Sequence, residues 1–245
     1  MKQLKFLVAF VFSISVLSFI FSCNSDEEKK ADETAVNPTM PPKTMEPLIA
    51  VVKTANILII QHKVASFAKW KPVYDSHDSF RRSYGLTNYV IGRGLNDSNI
   101  ALIILKMADA NKAKELTGSQ GMKDRMKMGG VIGIPSFTYL NVVMNDSSKI
   151  EQTARIMMTR KVKDWDAWKK EFDSHKQARI DGGLVDRGVG YSVDDNHIVT
   201  VVCAITDMKK ATAFLNSQDL KDKMTKAGVE APPSIFYYNV VQKYQ

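Results

Sequence analysis

The chain has 245 residues, of which 44% are hydrophobic and 24% charged, with 13 glycines, 8 prolines and 2 cysteines. This composition excludes collagen-like, wholly disordered and disulfide-rich proteins, and the length allows one large or two small domains. Lys and Arg total 34 against 26 Asp and Glu, which gives a net charge of +8. The basic residues are scattered and aromatic residues do not alternate with them, so we expect no nucleic-acid partner.

Residues 1–22 have the pattern of a signal peptide. Two lysines lie in residues 1–5, and residues 6–21 are almost wholly apolar. An apolar stretch of this length behind a charged start is typical of secretory signals and is short for a membrane span. An uncleaved anchor helix is the alternative, and under either interpretation the rest of the chain is exported and held at a membrane.

Cys23 is the candidate lipidation site. It follows Ser22 at the end of the apolar run, and this segment resembles a bacterial lipobox, in which the cysteine is lipidated and becomes the first mature residue. Residues 24–28, Asn-Ser-Asp-Glu-Glu, form an acidic segment that is similar to the surface-export signal of Bacteroidetes-type lipoproteins. These resemblances imply a cell-envelope protein anchored by lipid to the outer membrane, at its periplasmic face or on the cell surface.

Residues 23–47 are predicted to be a lipidated flexible tether. They are rich in Lys, Glu, Thr and Pro and contain almost no aliphatic residues. Such a stretch cannot bury enough apolar area to offset the entropy lost on ordering it.

The rest of the chain contains one unit twice. Residues 62–143 match residues 160–241 without a gap at a shift of 98 positions, with about a third of the positions identical. In chain order, each copy predicts a strand, a helical region, a hairpin, two short helices and a closing strand; in the first copy these are 56–64, 66–84, 87–107, 109–117, 119–128 and 137–143. This order is the βαββαβ pattern of a ferredoxin-like unit, in an α+β protein with repeats at 48–145 and 153–245.

Two groups of residues in the second copy resemble dimeric α+β barrel proteins, most closely those related to antibiotic-biosynthesis monooxygenases. The first group is Val162, Asp164, Trp168, Phe172, His175, Arg179 and Gly183, and the second is Ala211, Phe214, Ser217, Leu220, Met224, Ala227, Gly228, Val229, Pro232 and Pro233. The resemblance implies that the two repeats form an intramolecular dimeric α+β barrel, a monomeric pseudo-dimer. This superfamily includes monooxygenases, heme-handling enzymes and isomerases, so the fold does not assign a function.

The first helical region of each copy carries the candidate ligand-binding residues. A His and an Arg follow three aromatic residues at helical spacing, within an arc of about 80°. Near the end of each fourth strand an Asn shares a face with a Tyr, although spacing does not settle which face of the sheet this is. The eight candidates are His77, Arg81, Tyr139 and Asn141 in the first copy and His175, Arg179, Tyr237 and Asn239 in the second.

Two interpretations of these residues remain open. Arg can bind an anionic group, His can act as acid, base or heme ligand, and Asn and Tyr can orient a small molecule in a helix–sheet cleft. Alternatively, His and Arg secure the end of the helix. His62 and His197 occur in one copy only and are set aside. The copies also differ at Tyr89 and Arg187, which the pattern places near the cleft.

The sequence therefore predicts a protein that binds a small hydrophobic or anionic ligand in the helix–sheet clefts. The alternatives are a cofactor-independent monooxygenase or heme-handling enzyme, and a structural or partner-binding module. No metal-ligand spacing, phosphate loop or nucleophile motif is present, so we expect no metal and no cofactor, with heme as the alternative. Cys203 lies in an apolar run and is expected to be a small buried hydrophobic residue.

Overall fold

A computed structural model describes residues 56–244. The predictions for the signal peptide, Cys23 and the tether lie outside the described residues. Within residues 56–244, no helix is both long and apolar enough to cross a membrane.

Each repeat contains four strands and four helices. In the first repeat these are β1 (Asn56–Val64), α1 (Phe67–Ser76), α2 (Asp78–Ser83), β2 (Leu86–Gly94), β3 (Ile100–Met107), α3 (Ala110–Gly118), α4 (Gln120–Met128) and β4 (Val131–Asn145). In the second they are β5 (Ala154–Lys161), α5 (Trp165–Ser174), α6 (Lys176–Asp181), β6 (Leu184–Ser192), β7 (Ile198–Ile205), α7 (Met208–Asn216), α8 (Gln218–Lys226) and β8 (Ser234–Lys243).

The eight strands close into one antiparallel barrel in the order β1-β3-β2-β8-β5-β7-β6-β4. Within each repeat the strands have the ferredoxin-like order, and the repeats join where β2 pairs with β8 and β4 pairs with β6. Each edge strand of one sheet is thus covered by an edge strand of the other, which removes the exposed edges of an open sheet. The prediction of two ferredoxin-like repeats in an intramolecular barrel is confirmed.

Strand residues alternate between the helices and the barrel lumen, since successive side chains leave a strand on opposite faces. Leu58 and Ile60 of β1 belong to the core under the helices, whereas Ile59 belongs to the core inside the barrel. In β4, Tyr139 packs on the helix side and Leu140 lies in the lumen. The face of Tyr139 that spacing left open is therefore the helix-facing one.

The single helical region predicted over 66–84 is in fact two helices. α1 ends at Ser76 and α2 begins at Asp78, with His77 between them at φ −100° and ψ 20°, and the second repeat breaks in the same way at His175. Pro72 lies inside α1, but α5 has no proline, so proline does not explain the break.

An arginine of the second helix accompanies the break in both repeats. Arg81 Nη1 donates to the Tyr74 carbonyl at 2.7 Å, and Arg179 Nη1 donates to the Phe172 carbonyl at 2.6 Å. Each guanidinium also lies over the ring of the same residue, at 3.8 Å from Tyr74 and 3.6 Å from Phe172. The arginine side chain thus adds a second donor to a helix-end carbonyl that also accepts from the backbone N–H of the histidine at the break.

The closing strand of the first repeat is also longer than predicted. The prediction placed it at 137–143, but β4 runs from Val131 to Asn145. Its early residues pair with β1 and its last residues pair with β6. Most of the added length lies at the start of the strand, where Val131, Ile132 and Ser136 pair with β1 of the same repeat, and only Met144 and Asn145 are added by pairing with β6 of the other repeat.

Candidate ligand site in the barrel lumen

The lumen of the barrel holds an apolar cavity of about 120 Å³. Strands of both repeats line it, with side chains that include Ile59, Ile104, Leu140, Val142 and Val202. Sequence reasoning placed the candidate site under the helices and missed this cavity. Its lining residues come from the alternate positions that face inward once the barrel has closed.

One end of the lumen is a basic mouth. Four cationic residues line the cavity where it meets solvent: Lys106, Arg155, Arg187 and Lys243. Asp146 is the only carboxylate among the residues that line this part of the described chain. A larger open space of about 540 Å³ adjoins the cavity and is lined by the same four cations.

The basic mouth breaks the internal symmetry of the chain. When the two repeats are aligned at the shift of 98 positions, each of the four cations corresponds to an uncharged residue in the other repeat. Lys106 corresponds to Ala204, Arg155 to Ile57, Arg187 to Tyr89 and Lys243 to Asn145. Comparing the copies for their differences rather than their identities would have pointed to these residues. Tyr89 and Arg187 thus lie at the barrel mouth, not beside the helix–sheet cleft where the sequence analysis placed them.

Contacts with the connection between the repeats hold Arg187 in the mouth. Its Nη1 lies 3.0 Å from Asp146 Oδ2, and its Nη2 donates to the Ser148 carbonyl at 2.5 Å. Burial by itself would raise the pKa of Asp146, but hydrogen bonds from Ser148 and the charge of Arg187 outweigh it and lower this pKa. The mouth therefore keeps a fixed carboxylate beside one of its four cations.

Arg155 and Lys243 carry less compensated charge. Arg155 is only 8% exposed, and its Nη1 donates to the carbonyls of Gln152 and Ala154 rather than to a carboxylate. Burial lowers the pKa of Arg155, and so does the neighbouring charge of Arg187. Burial and the charge of Arg187 also lower the pKa of Lys243. An anion at the mouth would relieve this repulsion.

Tyr238 is a buried residue with a polar group that lines the lumen. It belongs to β8, is 2% exposed and stacks on Phe236 with 5.8 Å between ring centroids. Burial raises its pKa, so its hydroxyl keeps its proton at neutral pH. It can therefore donate a hydrogen bond to a molecule in the lumen.

In the first repeat, His77 and Arg81 both line a separate helix–sheet cavity of about 40 Å³. Arg81 is 4% exposed, and its Nη1 donates to the Tyr74 carbonyl near the end of α1. Burial and the charges of Arg125 and Arg81 lower the pKa of His77, so its imidazole is neutral at pH 7. His62, which the sequence analysis set aside, lines the same cavity and packs edge-on against Trp70.

In the second repeat, His175 and Arg179 line the equivalent cavity, of about 60 Å³. Arg179 forms a two-bond ion pair with Asp186, with Nε–Oδ1 and Nη2–Oδ2 both at 2.7 Å. Both side chains of this pair are less than 10% exposed. The Nε and Nη2 donors of Arg179 are therefore already hydrogen-bonded to Asp186.

The Tyr and Asn candidates do not join the His and Arg candidates. Tyr139 Oη lies 2.5 Å from Thr117 Oγ1, beside α3, and neither Tyr139 nor Asn141 lines the cavity of His77. Tyr237 packs on the helix-side core of the second repeat, and Asn239 Oδ1 accepts from Thr153 Oγ1 at 3.4 Å. The predicted four-residue cluster is therefore not formed in either repeat.

The other side chains that could carry chemistry are the Cys203 thiol and the possible metal ligands. Cys203 is fully buried, and burial raises the pKa of its thiol, as does the nearby Asp186. Among the described residues, no group of three His, Cys, Asp or Glu side chains is placed to hold a metal ion. None of the four histidines is among the residues that line the lumen.

Comparisons with known proteins give structural neighbours but no sequence relatives. No protein-family model matches the chain, and no curated protein matches it. The solved structures include a provisionally assigned monooxygenase from Fusobacterium nucleatum, at 12% identity and a TM-score of 0.51 over 77% of this chain and 93% of that one. An anthrone oxidase-like protein matches at 11% identity and a TM-score of 0.52, over 79% of this chain and 94% of that one. A provisionally assigned chlorite dismutase matches at 14% identity and a TM-score of 0.51, over 77% and 96%.

Each of these matches covers more of the chain than one repeat contains, so each extends over both halves of the barrel. At such low identity a structural match carries information about the fold and not about the activity. The chain thus has the dimeric α+β barrel fold of ferredoxin-like proteins, with both halves of the barrel supplied by a single polypeptide.

Proposed function

We propose that this protein is a lipid-anchored cell-envelope protein whose barrel lumen binds a small amphipathic organic anion. The observation that carries the proposal is an apolar lumen that opens through a mouth of four cations and one carboxylate. The apolar part of the ligand lies in the lumen, and its anionic group lies among Lys106, Arg155 and Lys243. This placement moves the predicted site from the helix–sheet clefts to the inside of the barrel.

The volume of the lumen limits the apolar part of the ligand. An engineered cavity of about 150 Å³ in another protein binds benzene, so 120 Å³ matches a group of about one aromatic ring or a short alkyl chain. The adjoining open space of about 540 Å³ accommodates the polar remainder. A porphyrin is several times larger than one ring, so the lumen as it stands does not fit a heme.

The charge of the mouth favours a carboxylate, sulfonate or phosphate as the anionic group. Arg155 presents a planar set of donors that matches such groups, and lysine adds a mobile point charge. Because Arg155 is buried, an ion pair there is less screened by salt than a surface pair.

The lipid anchor rests on Cys23 and its surrounding segment. We expect the mature chain to carry acyl groups on Cys23 and to partition into the membrane fraction. Intact-mass measurement on wild type and on Cys23→Ser tests this, since only the wild type should show the mass of the acyl groups. A mass difference that equals only the replacement of the cysteine sulfur by the serine oxygen would contradict the anchor and leave the lumen proposal unaffected.

The catalytic alternatives have distinct readouts. A heme role predicts a Soret band on addition of hemin that disappears in a His77→Ala/His175→Ala double variant. A cofactor-independent monooxygenase predicts oxygen uptake with electron-rich phenols. Several neighbours have names that point to oxygenases, and this likeness is the reason to run the second assay.

Calorimetric titration of the full chain in a non-ionic detergent tests the lumen proposal. The probe is 4-ethylbenzoate, compared with ethylbenzene, which lacks the charge, and acetate, which lacks the ring. We expect 4-ethylbenzoate to bind most tightly. The double variant Lys106→Gln/Lys243→Gln should weaken its binding about tenfold, which corresponds to about 1.4 kcal/mol.

Matched variants separate the lumen from the rest of the surface. Lys209→Gln/Lys221→Gln removes the same charge from exposed helix positions and should leave the affinity unchanged. Val202→Phe fills the lumen and should abolish binding of 4-ethylbenzoate, with circular dichroism to verify the fold. Equal affinity in wild type and in both the Lys106/Lys243 and Val202 variants would overturn the proposal.

A further inference from the structure

The helix–sheet cavity of the second repeat is lined by basic side chains without a carboxylate among them. Its lining includes Arg160, His175, Arg179 and Lys223, together with Met158 and Met224. The cavity lies on the helix side of the sheet, the opposite face from the lumen, so its chemistry is independent of the proposed function.

Three of these four basic groups have partners outside the cavity lining. Arg179 pairs with Asp186, Lys223 Nζ donates to Asp219 at 2.5 Å, and His175 Nε2 lies 3.9 Å from a Glu171 oxygen. Their charges are compensated within the fold. Arg160 is the remaining basic residue of the lining, and it has no carboxylate partner among the described residues.

Among residues 56–244, the hydrogen-bond partners of Arg160 are sulfur atoms only. Its Nη1 lies 3.0 Å from Met224 Sδ and its Nη2 lies 3.5 Å from Met158 Sδ. Its Nε is buried and has no hydrogen-bond partner among the described residues. A thioether is a weak acceptor, so the half-buried guanidinium of Arg160 keeps unused hydrogen-bond donors beside the cavity.

The first repeat shows the same cavity without this charge. The position equivalent to Arg160 is His62, which is 6% exposed. Burial lowers the pKa of His62 to about 4, so its imidazole is neutral at pH 7 and needs no counter-ion. In the second repeat, burial lowers the pKa of Arg160 to about 10, which leaves it charged at pH 7. The repeats therefore differ by one half-buried positive charge at equivalent positions.

We propose that the cavity at Arg160 is a binding site for a small carboxylate or a planar oxyanion of similar size. The terminal nitrogens Nη1 and Nη2 of Arg160 contact Met224 and Met158, which both line the cavity, and these two N–H groups are the donors that a carboxylate takes. A volume of about 60 Å³ holds formate or acetate, since a single water needs about 10–15 Å³. The bound anion replaces the methionine sulfurs as partner of Arg160.

Thermal unfolding of the full chain in dodecyl maltoside tests the site. Sodium formate replaces sodium gluconate at constant ionic strength, because gluconate carries the same charged group on a six-carbon chain too large for the cavity. We expect formate to raise the Tm of the wild type by about 2–4 °C at a concentration several times its Kd. No difference between formate and gluconate would overturn the proposal.

Arg160→His is the matched variant, because it places the residue of the first repeat in the second. We expect it to lose the formate-dependent rise in Tm, while the Lys106→Gln/Lys243→Gln variant at the barrel mouth keeps it. A rise of equal size in Arg160→His would contradict the site and would assign the effect to general salt action. A rise lost only in the mouth variant would assign formate to the lumen instead.

A direct measurement covers the case in which Arg160→His does not fold. In the ¹⁵N–¹H spectrum of the full chain, Arg160→Met identifies the Nε–H signal of Arg160 by its disappearance. That signal should shift progressively with formate and not with gluconate. An unmoved signal at saturating formate would refute the proposal independently of stability.

Discussion

At the residue scale, the two repeats hold the same buried arginine with different carboxylates. Arg179 pairs with Asp186 through two bonds, whereas the equivalent position in the first repeat is Asn88. Arg81 instead has Asp78, at 3.5 Å from its Nη2, and Asn88 Nδ2 donates to that same carboxylate at 2.7 Å. The carboxylate near the arginine comes from a strand in the second repeat and from a helix in the first, where the pairing is looser: among the described residues, Arg81 Nε and Nη2 have no hydrogen-bond partner.

Asp186→Asn should be strongly destabilising, because it leaves the guanidinium of Arg179 buried without its charged partner. Breaking a buried ion pair costs about 3–5 kcal/mol, and we expect the lower end because the Phe172 carbonyl still accepts from Arg179. Urea unfolding measures the loss. Asp173→Asn removes an exposed partner of Lys169 and should leave the free energy of unfolding nearly unchanged. Equal effects of the two variants would contradict this role of Asp186.

His62 should contribute a pH dependence of stability. Its folded-state pKa of about 4 lies below the ordinary value of 6.5, so between these pH values the unfolded chain binds more protons. The free energy of unfolding should therefore fall as the pH drops from 6.5 to 4, by about 3 kcal/mol in total from this residue. His62→Met should remove this contribution. The lowered pKa values of His77 and His175 leave part of the slope in both proteins, and identical slopes would refute the prediction.

Among the helices, a serine lies between the two short helices that precede the last strand of each repeat, and it caps the second of them. Ser119 follows α3 and caps α4, and Ser217 follows α7 and caps α8. Each hydroxyl accepts from a backbone N–H of the next helix, as Ser217 Oγ does from Leu220 N at 3.2 Å. A helix of nine residues gains little from propagation, so its cap contributes a large share of its local stability.

Ser217→Ala should lower the free energy of unfolding by about 1 kcal/mol, since it removes the acceptor for the first turn of α8. Thr212→Ala is the control, because Thr212 lies on the exposed face of α7 and caps no helix N-terminus. It should change the free energy of unfolding by no more than about 0.5 kcal/mol. Chemical denaturation compares the two, and an equal loss in both would show that the cap is not the cause.

At the scale of the whole molecule, the two repeats are joined by two strand pairings in addition to the covalent connection. β2 pairs with β8 on one side and β4 pairs with β6 on the other. The apolar lumen lies between the sheets and takes Ile59 and Leu140 from one repeat and Tyr238 from the other. Separating the repeats would expose this core and four strand edges at once, those of β2, β4, β6 and β8.

Cutting the connection should therefore leave the halves associated. A protease site inserted after Lys149, followed by cleavage of the folded protein, should give two fragments that elute together in size exclusion at micromolar concentration. Urea should separate them, which serves as the control for complete cleavage. Elution of separate halves without urea would show that the barrel depends on the covalent connection.

The repeated unit and its element order could be predicted from the sequence alone. Those features follow from local periodicity and from the identities between the copies, such as the glycines that end each helix pair, Gly85 at φ 72° and Gly183 at φ 73°. Helical spacing also placed His77 and Arg81 together, and both line one cavity. A ferredoxin-like unit needs a partner sheet for its bare face, so the duplication predicts that the two sheets associate, and the resemblance to dimeric α+β barrel proteins predicts that they do so as a barrel.

Only the tertiary structure decided where the candidate ligand site lies. The mouth cations Lys106, Arg155 and Lys243 come from three strands far apart in the chain, and barrel closure brings them to one rim. Periodicity reports the face that a residue occupies but not its position across a twisted sheet, which is why Tyr139 lies beside α3 and away from His77. Register and closure set those positions, and both arise from pairings between residues that no local pattern connects.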